Sequence, residues 1–260
     1  MPSSPAYDIA AWRKQIPLLA SCIPMNNCSQ APQTDATRAA ADRYLDSWNT
    51  IGMDWDAWMR EVALAKAEFA KLINASPDEI AVFSSVSEAA SAVASAIDFG
   101  AKRRSVLASE MEFPTVGHVW LAQQPRGAEL NWVPVANGTI AAADYESRIT
   151  NGTAIVSACH GFYLNGFIQD LGRIAKAAHA HGALLFADAY QTLGAVPVTL
   201  PVMVRLLIES FARILPLAIP VPELTETPTV IVPMVPSDQT PPLRGPSLPT
   251  IEPPMSTLPM

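Results

Sequence analysis

Apolar residues recur at two different spacings along the first 198 residues. Spacings of three and four place Trp58, Val62, Ala65, Phe69 and Leu72 on one face of the segment 55–74, which predicts an amphipathic helix. Short apolar runs predict strands at Ile80–Ser84, Ser105–Ala108, Leu130–Val135, Ala154–Ala158 and Ala183–Ala187. Further helices are predicted at Ser87–Ile97, Val116–Gln123, Ala142–Ile149 and Leu171–His181. Because short apolar strands alternate with helices, we predict an α/β fold with a mostly parallel sheet and helices on both faces.

The composition changes near residue 198. Residues 199–260 contain fourteen of the 24 prolines, one glycine, one aromatic residue and no lysine. Proline every few residues is incompatible with a helix or a central strand, and only Pro201–Leu217 has a helical pattern. We therefore divide the chain into an α/β body, 1–198, and a Pro-rich tail, 199–260, that we expect to be disordered or non-native sequence.

Charge and cysteine content narrow the possible classes of function. The formal net charge is -7, and the only basic cluster lies at 102–104, so we expect no nucleic-acid partner. No apolar stretch approaches the roughly 20 residues of a membrane span, so we expect no membrane insertion. The three cysteines, Cys22, Cys28 and Cys159, lack CxxC spacing. They fit the reduced thiols of a cytoplasmic protein and predict neither a disulfide framework nor a metal site.

Polar and aromatic residues follow the first two predicted strands. Ser85 and Glu88 have the spacing of a capping box at the start of a helix, and the same helix start is suited to binding an anion such as phosphate. Phe113 follows the second strand, where it is either a core aromatic or a flat surface on which a planar ring stacks. Neither alternative is decided by these residues alone.

Residues that could take part in binding or catalysis follow two further strands. His160 follows the fourth strand, where a single histidine is more often structural than catalytic. The fifth strand, in LLFADAYQTLGAV, ends at Asp188, and Gln191 follows three residues later. A carboxylate at this position either caps the following turn or faces a cation, since burying it unpaired costs free energy. A protonated ring nitrogen would be such a cation, and Gln191 would then reach a neighbouring ring oxygen.

Taken together, these residues predict one ligand. The carboxyl ends of parallel strands meet at one edge of a sheet, where ligands bind. An anion seat, a stacking ring and a carboxylate facing a ring nitrogen fit pyridoxal 5'-phosphate.

Residues from about 16 to 198 resemble the first part of a class V aminotransferase-fold enzyme. This group includes cysteine desulfurases, kynureninases and isopenicillin-N-epimerase-like proteins. The motifs that carry the resemblance are PMNNCSQAP (24–32), SSVSEAAS (84–91), SEMEFP (109–114), HGFYLNGFIQDL (160–171) and HGALLFADAYQTLGAVPV (181–198). The last of them is the most specific.

The resemblance implies a partial fold-type I large domain and a role for several residues. Val86 and Ser87 would hold the phosphate, and Phe113 would stack on the cofactor ring. Asp188 would face the pyridine nitrogen, with Gln191 near the phenolic oxygen and His160 in the same site.

The resemblance also sets expectations for the protein as a whole. The intact family acts on amino acid substrates and forms homodimers, and its large domain has a seven-stranded sheet. In that sheet, two strands from later in the chain lie between the first strand and the strand that ends at Asp188.

The chain departs from the family pattern after about residue 198. The family places the lysine that forms the cofactor aldimine in a motif beyond this point, but the last lysine here is Lys176. No catalytic residue is therefore assigned, because an aldimine requires an amine nucleophile. We expect an enzyme that was truncated or frameshifted near residue 198 and is inactive as it stands. The alternative is a non-catalytic fragment that binds the cofactor or a partner.

Overall fold

The computed structural model describes residues 8–27, 30–100 and 102–196, together with the backbone of 230–233. The helices are α1 (Ile9–Lys14), α2 (Asp35–Thr50), α3 (Trp55–Ile73), α4 (Val86–Ala96), α5 (Pro114–Leu121), α6 (Ala142–Glu146) and α7 (Leu171–Ala180). The strands are β1 (Ile80–Phe83), β2 (Ser105–Ser109), β3 (Glu129–Val133), β4 (Thr153–Cys159), β5 (Leu184–Asp188) and β6 (Val230–Pro233). Short 3₁₀ turns lie at Pro17–Ala20, Pro77–Glu79 and Gln124–Arg126.

Four parallel strands form the main sheet in the order β3-β2-β4-β5. Helices α5, α6 and α7 connect successive strands, as parallel pairing requires. All seven residues of β4 are buried, since this strand has a neighbour on each side and a covered surface on each face. The prediction of a parallel α/β sheet is confirmed.

The two faces of the sheet are covered by different helices. Val106 and Ala108 of β2 face a cluster with Val93 of α4 and Trp120 of α5. Leu107, between them, faces the opposite cluster, with residues from α6 and α7. This alternation follows from the period of two along a strand. Helices therefore lie on both faces, as the sequence predicts.

Local sequence sets the ends of the helices. Helix α3 ends at Asn74, which adopts the left-handed conformation with φ of 56°. Helix α7 begins after Asp170, whose side chain accepts the N–H of Arg173, and it ends before Gly182, where φ is 66°. Helix α5 begins at Pro114, because proline needs no hydrogen-bond acceptor in the first turn.

Strand β1 lies outside the main sheet and pairs in parallel with β6. Its register places Ile80 opposite Val230 and Phe83 opposite Pro233. The backbone of 230–233 therefore differs from the expectation of a tail without strands. The proline ends the paired segment, a position at which its missing N–H is tolerated. The remainder of 199–260, including the possible helix Pro201–Leu217, lies outside the described residues.

Helices α1 and α2 were not predicted from the sequence, and no residue of either is buried. The polar N-cap Thr34 accepts the N–H of Thr37 and starts α2. Large apolar side chains are exposed along these helices and α3, including Trp12, Tyr44, Trp48, Trp55, Met59 and Leu64. Among the described helices, none combines the length and apolar character needed to cross a bilayer.

Candidate functional site

Asp188 ends β5 and pairs across the sheet with Cys159 of β4. Its Oδ1 accepts the N–H of Tyr190 at 2.9 Å, so the carboxylate does cap the following turn. The side chain is half-buried, and burial raises the pKa of this carboxyl above its ordinary value. Among the described residues, no Lys, Arg or His forms an ion pair with Asp188. The carboxylate therefore has one oxygen in the turn and no cation.

His160 lies beside Asp188, in the loop that follows β4. Its backbone N–H donates to the carbonyl oxygen of Asp188 at 2.7 Å, and its ring Nδ1 lies 2.8 Å from Oγ1 of Thr192. The Thr192 hydroxyl also lies 3.2 Å from the carbonyl oxygen of Ala189, which can only accept. The hydroxyl has one proton for these two partners, so the direction of its hydrogen bond with Nδ1 follows the tautomer of the ring. Burial lowers the pKa of His160 and so favours the neutral imidazole.

Gly161 allows the loop after β4 to approach the turn after β5. A Cβ atom added at Gly161 would lie 2.5 Å from Cγ2 of Thr192 and 3.5 Å from Cβ of Gln191. Gln191 is half-buried at this contact. The structure thus brings His160, Asp188 and Gln191 together, in agreement with the order of the sequence motifs.

Phe113 is an exposed aromatic residue between β2 and α5. It is 43% exposed, so the alternative of a core residue is wrong. Its ring makes an edge-to-face contact with Tyr163, with centroids 5.4 Å apart. Tyr163 is also exposed and comes from the loop after β4. Phe113 and Tyr163 therefore form an exposed aromatic pair, and the sequence interpretation had not singled out Tyr163.

The N-terminus of α4 has a side-chain cap and also backbone N–H groups without an acceptor among the described residues. Ser85 is the N-cap and accepts the N–H of Glu88 at 3.2 Å. The Glu88 carboxylate reaches back to Ser84, accepting its N–H at 3.1 Å and its hydroxyl at 2.5 Å. These hydrogen bonds lower the pKa of Glu88. The N–H groups of Val86 and Ser87 have no acceptor among the described residues, as expected for the first positions of a helix.

A buried polar cluster lies directly beside Asp188, and the sequence interpretation missed its main member, Glu112. This carboxyl is 6% exposed; its Oε1 lies 3.5 Å from the backbone N of Ser109, and its Oε2 lies 3.5 Å from Sγ of Cys159. Burial, followed by the charge of Asp188, raises the pKa of Glu112 to about 7. Burial also raises the pKa of Cys159 and of Tyr145, which lies in the same cluster.

Asp188, Cys159, Glu112 and Phe113 lie at or just beyond the carboxyl ends of strands in the main sheet. Asp188 and Cys159 lie in adjacent strands, and Phe113 follows Glu112 in the loop after β2. Val86, at the start of α4, and Phe186 of β5 both pack against the buried cluster that covers one face of β2. A half-buried carboxylate without a cation fits a ligand that carries a positive ring nitrogen. The residues present thus fit the pyridine ring and phosphate predicted from the sequence.

The chain is similar in sequence to several known proteins. The sequence pattern of the aminotransferase class V family matches residues 38–203. The chain is 35% identical over 188 residues to an uncharacterized aminotransferase, YcbU, of Bacillus subtilis, covering 72% of this chain and 50% of that protein. It is 29% identical over 188 residues to a probable cysteine desulfurase of Methanothermobacter thermautotrophicus, covering 70% and 47%. A kynureninase of Burkholderia mallei is 27% identical over 209 residues, covering 74% and 48%.

Solved structures share the fold. A C-DES variant with glycine covalently linked to its PLP cofactor aligns with a TM-score of 0.64 at 21% identity, covering 72% of this chain and 51% of that one. The apo cysteine desulfurase of Thermococcus onnurineus aligns with a TM-score of 0.64 at 23% identity, covering 76% and 51%. The chain spans about half the length of the curated relatives it matches.

Proposed function

Because the chain belongs to the aminotransferase class V family, we propose that it binds pyridoxal phosphate at the carboxyl edge of its main sheet. The whole protein would act on an amino acid substrate. The observation that carries this proposal is Asp188, a half-buried carboxylate at the end of β5 that lacks a cationic partner among the described residues. A carboxylate in that position gains most from a ligand that brings its own positive charge.

Each of the remaining site residues has a role in this proposal. The free N–H groups of Val86 and Ser87 would bind the phosphate at the start of α4. Phe113 would stack on the ring through its exposed side chain, which also contacts Tyr163. Gln191 would donate to the phenolic oxygen. His160 would orient the turn that contains Gln191 through its hydrogen bond to Thr192.

When bound, the cofactor supplies an electron sink for reactions at the α-carbon of an amino acid. The part played by this chain is to bind and orient the ring. Asp188 would keep the ring nitrogen protonated, and the buried cluster behind it would exclude water from that side.

The lysine content bears on whether this chain is active. Lys176 is the last lysine of the sequence and is exposed on α7, within a connection between strands. We propose that the 260-residue chain binds the cofactor non-covalently and is inactive as it stands. Borohydride treatment should then give no stable adduct on any lysine. The change of reading frame near residue 198 remains a prediction, which sequencing of the gene would test.

A second candidate function is that of a binding fragment, and the exposed aromatic face of α2 and α3 favours it. Trp48 and Trp55 are 56% and 61% exposed. Pull-down with a full-length paralogue would test whether such a partner covers this face. Retention of the paralogue without any binding of pyridoxal phosphate would support the fragment over the enzyme.

Equilibrium dialysis of pyridoxal phosphate against the full chain tests the first proposal. Asp188→Ala should weaken binding at least about tenfold, and more than His160→Ala does, because only Asp188 would face the cationic ring nitrogen. Asp98→Ala is the matched control: Asp98 is exposed, and its Oδ1 accepts the N–H of the residue two positions later, as that of Asp188 does. Equal affinity of the wild type and Asp188→Ala would overturn the assignment.

A further inference from the structure

Glu112 is a buried carboxyl group in the loop after β2. In the sheet, β4 lies between β2 and β5, the strand that ends at Asp188. The side chains of Cys159 and Asp188 lie on the same face of the sheet, because these residues are register partners in adjacent parallel strands about 4.8 Å apart. Glu112 contacts Sγ of Cys159 at 3.5 Å. Two carboxyl groups therefore lie near one thiol; Glu112 is buried and Asp188 is half-buried.

The surroundings of Glu112 contain acids and neutral donors. The titratable groups that act on it are Asp188 of β5 and Cys159 of β4, and Glu112 in turn acts on Tyr145 of α6. Its other contacts are the backbone N–H of Ser109 and the hydroxyl of Ser157. No cation from the described part of the chain compensates a charge on Glu112. An ionised carboxylate in such a place is costly, whereas a neutral carboxylic acid is not.

We propose that Glu112 is a positioning residue that retains the proton of a two-carboxyl pair, so that Asp188 is the member that ionises towards the ring nitrogen of the cofactor. This inference rests on the proposed binding of pyridoxal phosphate and concerns how that site is prepared for a cation. If Glu112 were ionised as well, its charge would hold a proton on Asp188. The neutral acid avoids that competition.

The two carboxyl groups differ in burial. Glu112 is 6% exposed, whereas Asp188 is half-buried at the end of β5 and accepts the N–H of Tyr190. Water and this N–H stabilise a charge on Asp188, and two neighbouring carboxyl groups ionise in two steps, so Asp188 loses its proton first while Glu112 is still neutral.

Carbon-13 NMR of carboxyl-labelled protein, titrated from pH 4 to pH 9, tests this directly on the full chain. One resonance should titrate near pH 7, disappear in Glu112→Gln and persist in Glu110→Gln, the control for an exposed carboxyl of the same loop. Asp188→Asn should move that midpoint to lower pH, whereas Glu112→Gln should leave the Asp188 midpoint unchanged. A Glu112 midpoint at the ordinary value, or one that Asp188→Asn does not move, would overturn the inference.

Cofactor binding separates this inference from the proposed function. Glu112→Gln, a neutral isostere, should keep the dissociation constant for pyridoxal phosphate within about twofold, whereas Asp188→Asn should raise it at least about tenfold. If Glu112→Gln weakens binding as much as Asp188→Asn, Glu112 acts as a charge and the inference is wrong. If the wild type binds no pyridoxal phosphate, the proposed function fails, and the NMR titration still decides the state of Glu112. If Glu112→Gln does not fold, Glu112→Asp is used instead to identify the resonance of Glu112. The shift of that resonance's midpoint in Asp188→Asn then tests the inference.

Discussion

Nδ1 of His160 lies 2.8 Å from Oγ1 of Thr192, and this hydrogen bond joins the loop after β4 to the turn after β5. Both side chains are buried. The two segments approach this closely because Gly161 has no side chain: an added Cβ would lie 2.5 Å from Cγ2 of Thr192. The position of the turn that contains Gln191 therefore depends on a glycine in the preceding strand connection.

Gly161→Ala should lower the free energy of unfolding by about 1–3 kcal/mol, the usual cost of overpacking a buried contact. The double variant with Thr192→Ser should recover most of that loss, because serine lacks the methyl group and keeps the hydroxyl. Gly152→Ala is the control, since its nearest neighbour would be at 3.6 Å. Urea denaturation measures all four proteins. A loss that persists in the double variant would show that the methyl contact is not the cause.

The stability of the protein should fall as pH rises through neutrality. The pKa of Glu112 is raised in the folded state to about 7 from an ordinary 4.5, so the unfolded chain ionises first. The stabilisation is complete below pH 4.5 and is lost as pH rises through 7, a change of about 3 kcal/mol from this group. Glu112→Gln should remove that part of the dependence, and Glu110→Gln should keep it. Parallel stability–pH curves for wild type and Glu112→Gln would contradict this.

Pairing between β1 and β6 should protect the amides of β1 from hydrogen exchange. Strand β6 is the neighbour found for β1 among the described residues, so its loss would expose the β1 backbone to water. Ile231→Pro should therefore accelerate exchange in 80–83 and leave the amides of β4 protected. Hydrogen exchange followed by mass spectrometry is the measurement. Unchanged protection of β1 in this variant would show that the pairing does not persist in solution.

The aromatic residues of α2 and α3 should bind a hydrophobic dye. Tyr44 contacts Trp48 and Trp58, and Trp55 also contacts Trp58, yet Trp48 and Trp55 are more than half exposed. Exposed apolar patches of this kind favour dye binding and self-association. Replacing Trp48 and Trp55 with glutamine should reduce dye fluorescence and light scattering, whereas Trp12→Gln should have little effect. A monodisperse wild-type protein that melts cooperatively and binds no dye would refute the expectation.

Two features near the site could not be read from the sequence. The motif SEMEFP drew attention to Phe113 as a stacking candidate, but Glu112 beside it had the same local pattern as any polar loop residue. Its burial depends on segments distant in the chain, such as Cys159, 47 positions away, and this burial raises its pKa. Exposure of Phe113 was likewise undecided, since an aromatic after a strand is compatible with either a core or a surface position.

The sequence by itself determined the order and type of the elements from β1 to β5 and the placement of Asp188 at the end of a strand. These follow from apolar periodicity and helix-capping residues, which act between near neighbours in the chain. Tertiary structure alone decided that Cys159 faces Asp188, that Glu112 is buried beside them and that β1 pairs with β6. Burial and strand partners depend on which distant segments pack together, and charge states in turn depend on that burial.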